Sequence, residues 1–244
     1  IETPSNPMLG ITDIASIVNI AKEVGALTFL DNTFMTPIHQ RPLDLGVDVV
    51  IHSATKFLSG HSDIVAGLVV TKDPTLSEQV YFIQNSFGSC LGVQDSFTLI
   101  QNMKTTAVRF NESARVASVL ATFLDNHPLV EKVYYPGLAS HPGADIHARQ
   151  STSAGAVLSF SLPSYDVAKV FVEAMQIPVF AVSLGGVESI LSYPAKMSHA
   201  AMEPEERAKR GITDGLLRFS VGLENEHDLL EDFAQALEKA LQVK

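Results

Sequence analysis

Cysteine and clustered positive charge are both scarce in this chain of 244 residues. The single cysteine, Cys90, cannot form an internal disulfide, which is typical of proteins in the reducing cytoplasm. The 17 lysine and arginine residues are outnumbered by 27 aspartate and glutamate residues, and no basic cluster is present. Nucleic-acid binding requires such a cluster, so we expect a small molecule rather than nucleic acid as the partner.

Long apolar runs are also missing. No run approaches the roughly 20 apolar residues that span a bilayer, so we expect no membrane partner. Apolar residues still make up 46% of the chain, which is enough for one large core or two smaller ones. The chain begins at Ile1, and its opening residues resemble the end of a strand that runs into a loop. We therefore expect it to be part of a longer protein.

The first half of the sequence alternates between helical and strand patterns. Apolar residues at helical spacing predict a helix from Ile14 to Val24, with Thr12 as its N-cap and Gly25 as its left-handed stop. Continuous apolar runs predict strands that are buried on both faces of a parallel sheet. The runs are residues 26–30, 47–51 and 64–70. This alternation predicts an α/β fold.

The second half predicts a smaller domain. A long helical stretch runs from about Gln94 to Asn126 and is closed by Pro128. We place the domain boundary there, with a large domain over residues 1–103 and a small domain over 104–244 that includes the long connecting helix. Within the small domain, alternation over 157–162 predicts a half-exposed strand, and apolar stripes over 167–175 and 229–241 predict helices on one side of the sheet.

Polar residues at the ends of two predicted strands indicate a binding site. Lys56 follows a buried strand, where ligands of open α/β sheets gather, and desolvation there favours the free amine that forms imines. Ser53 and Thr55 could donate hydrogen bonds to a phosphate. Asp31 ends an earlier strand, and its carboxylate needs a cation such as the protonated ring nitrogen of pyridoxal phosphate (PLP). From these positions alone, a solvated loop lysine and a turn-capping aspartate remain alternatives.

Six sequence motifs, in order along the chain, resemble motifs of the Cys/Met-metabolism PLP-dependent enzymes. They are residues 2–7 (ETPSNP), 31–34 (DNTF), 53–56 (SATK) with 60–63 (GHSD), 135–138 (YPGL) with 140–142 (SHP), 183–189 (SLGGVES) and 217–222 (LRFSVG). The resemblance implies the fold type I arrangement of aspartate aminotransferase. In that arrangement a large PLP-binding domain with a mostly parallel sheet is joined to a smaller α+β C-terminal domain, and the chains assemble as a homotetramer, a dimer of dimers.

The resemblance also implies which residues bind the cofactor. Lys56 resembles the Schiff-base lysine, and Asp31 resembles the partner of the pyridine nitrogen. Ser53 and Thr55 resemble phosphate ligands. Asn6 lies where the family has an asparagine near the phenolic oxygen of the cofactor and the carboxylate of the substrate.

The carboxylate of the substrate has its own implied ligand. Arg218 resembles the arginine that binds this carboxylate, a role suited to the planar fork of a guanidinium. Ser183 and the backbone of Val182 are expected beside it. We assign no catalytic role to the other polar residues of the six motifs and of residues 192–199, and we expect no metal site. These residues are His61, His141, Glu188 and His199.

The activity that the resemblance implies is that of a PLP-dependent carbon–sulfur lyase. In β-elimination Lys56, displaced from the cofactor by the substrate amine, removes the Cα proton, whereas γ-acting enzymes must also move a proton from Cβ. Several γ-acting relatives have an acidic residue where this chain has Val182, and residues 192–199 (SYPAKMSH) resemble bacterial β-lyases. We expect cleavage of cystathionine to homocysteine, pyruvate and ammonia in methionine biosynthesis. Cystathionine γ-synthase, cystathionine γ-lyase and methionine γ-lyase activities are the alternatives.

Two hypotheses of other classes also remain. In the family, segments before the ETPSNP motif supply a glycine-rich loop that binds the phosphate and an aromatic ring that stacks on the cofactor. They also supply a tyrosine and an arginine that enter the active site of the neighbouring subunit. We find none of them in this chain. The chain could therefore be an inactive fragment or interaction module that retains the fold. Alternatively, Lys56 could attack a carbonyl substrate directly, without PLP.

Overall fold

Two β-sheets organise the protein, whose computed structural model describes residues 1–198 and 200–243. The strands are β1 (Phe29–Asp31), β2 (Val49–Ser53), β3 (Gly67–Thr71), β4 (Lys132–Tyr134), β5 (Val157–Ser161), β6 (Val179–Phe180), β7 (Ile190–Ser192) and β8 (Leu216–Ser220). The first sheet has the order β1–β2–β3, and the second has the order β4–β5–β8–β7–β6. The described residues thus form an α/β fold.

Nine α-helices are seen in these two ranges, and two 3-10 helices span Pro42–Leu45 and Pro194–Lys196. The α-helices are α1 (Ile14–Glu23), α2 (Thr36–His39), α3 (Pro74–Phe87), α4 (Val93–Met103), α5 (Thr106–Asp125), α6 (Ala144–Gln150), α7 (Tyr165–Ala174), α8 (Pro204–Lys209) and α9 (Glu226–Ala240). No helix in the described ranges is long and apolar enough to cross a membrane.

The first sheet has strands of mixed direction. β1 runs parallel to β2, with Asp31 opposite Ile51, whereas β2 runs antiparallel to β3, with Ser53 opposite Gly67. The prediction of a parallel sheet is therefore wrong for the β2–β3 pair. Parallel neighbours need a crossover connection, usually a helix, and residues 54–66 contain no helix, so the chain reverses direction there.

Helix α1 has a different N-cap from the one that the sequence suggests. The cap is Asp13, whose side chain accepts a hydrogen bond from Ser16 N. The prediction of Thr12 is wrong because its N–H donates to the hydroxyl of Thr3 at 3.0 Å, which ties Thr12 to the preceding loop. Gly25 follows the helix with φ of +66°, the left-handed conformation expected at this stop.

Helix α1 covers only one face of the first sheet. Leu30 and Val50 are buried against Ile14 of α1. Phe29 and Ile51, which point to the opposite face, are 45% and 36% exposed. The prediction that these strands are buried on both faces is wrong, because the described elements leave this second face largely uncovered.

The helical stretch predicted over residues 94–126 is interrupted. Lys104 and Thr105 separate α4 from α5, and their N–H groups donate to carbonyl groups three residues earlier rather than four. This tighter turn redirects the chain before α5 begins. The domain boundary between residues 103 and 104 falls at the break and stays a prediction.

Helices α5, α7 and α9 cover one face of the second sheet and form the main core. Phe160 of β5, Phe219 of β8, Phe171 of α7 and Phe233 of α9 are fully buried there. The rings of Phe219 and Phe233 meet edge to face with centroids 4.9 Å apart, a geometry that aromatic pairs prefer. The apolar stripe predicted for the last helix ends before Leu241, which follows α9 and is 52% exposed.

The opposite face of the second sheet is polar, yet it is also buried. Arg218 of β8 lies opposite Ser159 of β5 on one side and Ser192 of β7 on the other. All three are buried, and Ser159 donates to Pro7 O at 2.6 Å. The prediction of a half-exposed strand over 157–162 is wrong because the N-terminal segment covers this polar face.

Truncating the aromatic core should destabilise the protein strongly. We expect Phe233→Ala to lower the free energy of unfolding by about 3–5 kcal/mol, because it removes a ring packed against three others and leaves a cavity. Chemical denaturation would measure this loss. Leu241→Ala is the matched control and should change the stability little. Equal losses for the two variants would contradict this description of the core.

Candidate active site

The turn that follows β2 carries Lys56. Lys56 N donates to Ser53 O at 3.2 Å, and Gly60 N donates to Lys56 O at 2.7 Å. Gly60 has φ of +75°, a conformation that glycine adopts without steric cost. These bonds fix the backbone from which Lys56 extends, at the carboxyl end of a buried strand.

The amine of Lys56 reaches across to the second half of the chain. Lys56 Nζ donates to Ser183 Oγ at 2.6 Å. Burial lowers the pKa of Lys56, and the positive charge of Arg218 lowers this pKa further. A lowered pKa makes the unprotonated amine more available, which is the form that acts as a nucleophile or a base.

Arg218 lies at the centre of the buried polar face and is 4% exposed. Its Nη1 donates to Asn6 Oδ1 at 2.8 Å, and its Nη2 donates to Ser183 O at 2.6 Å and to Ser192 Oγ at 3.2 Å. None of these partners is a carboxylate, and Arg218 Nε finds no partner among the described residues. Burial lowers the pKa of Arg218 to about 10. A buried cation with a spare donor is suited to bind an anion such as a carboxylate.

The loop between β6 and β7 packs directly against the turn of Lys56. Ser183 has φ of +89°, which is uncommon outside glycine. A Cβ atom at Gly185 would lie 2.6 Å from Phe57 N, so no side chain fits between the two segments. Val187 N also donates to Gly60 O at 2.8 Å. This close approach brings Ser183 within reach of Lys56.

Asp31 and Ser53 lie at the ends of neighbouring strands. Asp31 Oδ1 accepts from Thr33 N at 2.9 Å, and Thr33 Oγ1 accepts from Ser53 N at 2.8 Å. None of the ion pairs formed within the described ranges involves Asp31. Next to Ser53, His52 is buried, and its burial lowers its pKa while the charge of Asp31 raises it. Asp31 is thus available to a cationic ligand.

The hydroxyls expected to bind phosphate differ in their surroundings. Thr55 Oγ1 donates to Ala66 O at 3.3 Å and accepts from Ala66 N at 2.9 Å, so it already has two backbone partners. The Ser53 hydroxyl makes no hydrogen bond within the described part of the chain. Thr55, Val182 and Ser183 line one cleft of about 600 Å³, and Val182 is 63% exposed. The cleft thus lies between the turn after β2 and the loop after β6.

Two of the histidines in the family-like motifs lie against backbone carbonyl groups. His61 Nδ1 lies 2.7 Å from Ser59 O, and His141 Nε2 lies 2.8 Å from Leu9 O. His199 lies outside the described residues. Over residues 1–198 and 200–243, no three His, Cys, Asp or Glu side chains come together in a way that could hold a metal ion.

Ser192 begins the pattern over residues 192–199, but the sequence gives it no role in the site, where it is a direct partner of Arg218. Its hydroxyl donates to Ala181 O at 2.7 Å and accepts from Arg218 Nη2. Ser192 and Arg218 are far apart in sequence, so their contact is found only when the pairing register of β7 with β8 is known. The site therefore has an additional residue that links Arg218 to Ala181, the residue before Val182.

The donors and acceptors brought together here fit PLP. The lowered pKa of Lys56 suits a lysine that binds an aldehyde, and Asp31 suits a ring nitrogen that carries a proton. The orphan Nε of Arg218 leaves capacity for the carboxylate of an amino acid.

The sequence of this chain matches one family of enzymes. Residues 1–238 match the family described as "Cys/Met metabolism PLP-dependent enzyme". The chain is 63% identical over 238 residues to cystathionine beta-lyase MetC of Bacillus subtilis (strain 168), and 49% identical over 238 residues to cystathionine gamma-lyase of the same organism. These matches include 98% of this chain but 61% and 63% of the two relatives. The chain thus spans about three-fifths of their length.

Solved structures of cystathionine synthases and lyases are also similar to this chain. A cystathionine gamma synthase from Xanthomonas oryzae pv. oryzae, in complex with aminoacrylate and cysteine, has a TM-score of 0.97 at 45% identity. A cystathionine gamma-lyase from Lactobacillus plantarum, complexed with L-serine, has a TM-score of 0.96 at 44% identity. The matches include 99% and 98% of this chain and 62% and 63% of those chains.

Burial is the main cause of the lowered pKa of Lys56, and the charge of Arg218 should add to this lowering. Replacing Arg218 with methionine removes a positive charge that disfavours the ammonium form, so the pKa of Lys56 should rise. Amine labelling of the cofactor-free protein as a function of pH, with peptide mapping at Lys56, would measure the midpoint. Arg218→Lys retains the charge and should give a smaller rise. A midpoint that falls in Arg218→Met would contradict the geometry.

Proposed function

Since this chain belongs to the Cys/Met metabolism PLP-dependent enzyme family, we propose that it carries the catalytic lysine of a carbon–sulfur lyase. The proposed reaction is β-elimination of cystathionine, which with one molecule of water gives homocysteine, pyruvate and ammonia. The observation that carries the proposal is the hydrogen-bonded series Lys56–Ser183–Arg218–Asn6. This series joins the Lys56 amine, whose pKa is lowered, to the buried guanidinium of Arg218, whose Nε has no partner among the described residues.

Five residues are proposed to hold the cofactor. Lys56 would bind it covalently, Asp31 would accept from its ring nitrogen, and Ser53 would donate to its phosphate. Thr55 would also donate to the phosphate once its hydroxyl turns away from Ala66 O. Asn6, already bonded to Arg218, would lie near its phenolic oxygen. When bound, PLP supplies an electron sink that makes the Cα proton of an amino acid acidic.

The substrate is proposed to be held by its carboxylate. Arg218 offers its Nε and the edge of its guanidinium, and Asn6, Ser183 and Ser192 fix the plane of this group. The backbone of Val182 would lie beside the carboxylate. The fixed position of Arg218 relative to Lys56 would decide which face of Cα the lysine meets.

Lys56 is proposed to move the proton. Lys56 Nζ would act as the base toward Cα, and its lowered pKa makes the unprotonated amine more available. The hydroxyl of Ser183 accepts from Nζ at 2.6 Å and holds it in place. The proton removed from Cα is then held at Nζ while the thiolate leaves from Cβ.

Two observations favour β-elimination over γ-chemistry. Val182, which lines the cleft beside Ser183, has no group that could carry the additional proton that γ-elimination requires. The 63% identity to a β-lyase also exceeds the 49% identity to a γ-lyase of the same organism. Cystathionine γ-synthase, cystathionine γ-lyase and methionine γ-lyase activities are the alternatives that product analysis distinguishes.

The proposal includes a setting for the enzyme. The α/β fold is consistent with the fold type I arrangement of aspartate aminotransferase, in which we place the boundary between the large and small domains after residue 103. We propose a homotetramer in the cytoplasm that acts in methionine biosynthesis. The chain spans about three-fifths of the length of these relatives, and the activity of the whole protein is part of this proposal.

Lys56→Ala should abolish turnover of cystathionine. Loss of a positioned base lowers rates by about 10²–10⁴-fold, and the cofactor also loses its covalent bond. Incubation of the PLP-loaded protein with cystathionine, followed by assays of pyruvate, homocysteine, cysteine and 2-oxobutyrate, would measure both rate and product. Lys72→Ala, at an exposed lysine paired with Asp44, is the matched control.

The products decide between the reactions. Homocysteine and pyruvate are expected from the unmodified protein and the control. Cysteine with 2-oxobutyrate would instead assign γ-cleavage, and undiminished turnover in Lys56→Ala would refute the role of the lysine.

A further inference from the structure

Arg109 of α5 contacts the turn that carries Lys56, and it is not among the residues proposed to hold the cofactor or the substrate. It is 8% exposed. Its Nη1 donates to Phe57 O at 3.0 Å, and its Nη2 donates to Leu58 O at 3.3 Å. These two carbonyl groups belong to the residues that directly follow Lys56, so the guanidinium holds the far side of the same turn.

The remaining contacts of Arg109 anchor it to its own surroundings. Nη2 also donates to Asn102 O at 3.0 Å and to Thr106 Oγ1 at 3.2 Å, and Nε donates to Thr105 Oγ1 at 3.1 Å. None of the ion pairs found in the described ranges involves Arg109, and its burial lowers its pKa. A buried cation without a carboxylate is stable only if neutral groups replace its hydration, and the backbone carbonyls do so here.

The fit between Arg109 and the turn is very close. A Cβ atom at Gly60 would lie 1.9 Å from Arg109 Nη1, so glycine is needed at this position for space as well as for its φ of +75°. Gly60 is also bonded through its N–H to Lys56 O and through its carbonyl to Val187 N. A shift of the guanidinium would therefore reach both Lys56 and the loop that carries Ser183.

We propose that Arg109 is a positioning residue, which holds the backbone of residues 57–60 so that Lys56 Nζ stays beside Ser183 Oγ. It touches neither the substrate nor the reacting atoms and acts through Lys56. The inference rests on the proposed function, because it assumes that Lys56 binds the cofactor.

The physical reason lies in the number of bonds that orient the turn. Thr106 Oγ1 also donates to Leu58 O, so this carbonyl keeps a partner without Arg109. Phe57 O accepts from Arg109 alone among the described residues, and it would be left buried without a partner. The turn would then relax, and a displacement of about 1 Å at a catalytic group can lower a rate by roughly 10²-fold.

The test measures how much bound PLP is joined to Lys56 in the holoenzyme. Borohydride reduction followed by peptide mapping gives the fraction fixed on Lys56, and the visible absorbance as a function of pH gives the titration midpoint of the bound cofactor. In Arg109→Gln we expect the fixed fraction to fall, the midpoint to shift and kcat to drop roughly 10²-fold with a smaller change in KM. Arg109→Lys, which retains the charge but not the fork, should restore part of each quantity.

Matched variants separate positioning from stability. Arg115→Gln removes a cation from the same helix, where Arg115 is exposed and pairs with Glu112 and Glu226, and it should leave the fixed fraction and the midpoint unchanged. Gly60→Ala retains Arg109 but displaces its guanidinium, so it should reproduce the losses of Arg109→Gln even if that variant folds poorly.

Two outcomes would overturn the proposal in distinguishable ways. If folded Arg109→Gln or Gly60→Ala keeps the fixed fraction, the midpoint and kcat of the unmodified enzyme, Arg109 has a structural role only. If the unmodified holoenzyme itself fixes no PLP on Lys56, the proposed function fails, and the positioning role fails with it.

Discussion

The burial of Arg218 is the constraint on which the rest of the site depends. Its guanidinium lies on the inner face of the second sheet without a carboxylate partner, and it is stabilised by oxygen atoms of Asn6, Ser183 and Ser192. These three residues come from the N-terminal segment, the loop after β6 and the end of β7. A charge that must be satisfied in this way holds three distant segments of the chain in one place.

The same charge sets the chemistry of the neighbouring lysine. Lys56 bonds to the side chain of Ser183 while Arg218 bonds to its carbonyl, so the two cations share one residue. Burial lowers the pKa of Lys56, and the nearby charge of Arg218 lowers it further. The positive charge of Arg218 thus adds to the availability of the unprotonated Lys56 amine, while its own burial leaves Nε without a partner among the described residues.

Helix α5 connects this electrostatic centre to the hydrophobic core. Its first turns hold the Lys56 turn through Arg109 and Thr106, and its later turns pack Val116 and Leu120 against the second sheet. Because the core around the four phenylalanines fixes the helix, it also fixes the turn. The rigidity of the site therefore comes from the packing of the second sheet as much as from the local hydrogen bonds.

The sequence by itself determined the family, because six motifs in order carry residues whose chemistry is specific, and it predicted the α/β fold and the helix stop at Gly25. Local patterns could not determine which face of β1 or β5 is covered, or that β3 runs antiparallel, since burial and strand direction depend on segments far away in the chain. Only the tertiary structure brought Lys56 to Ser183, Ser192 to Arg218 and Arg109 to the turn of Lys56. Each of these contacts joins residues far apart in sequence, so no local propensity specifies it, and the register of the second sheet and the packing of α5 decide it.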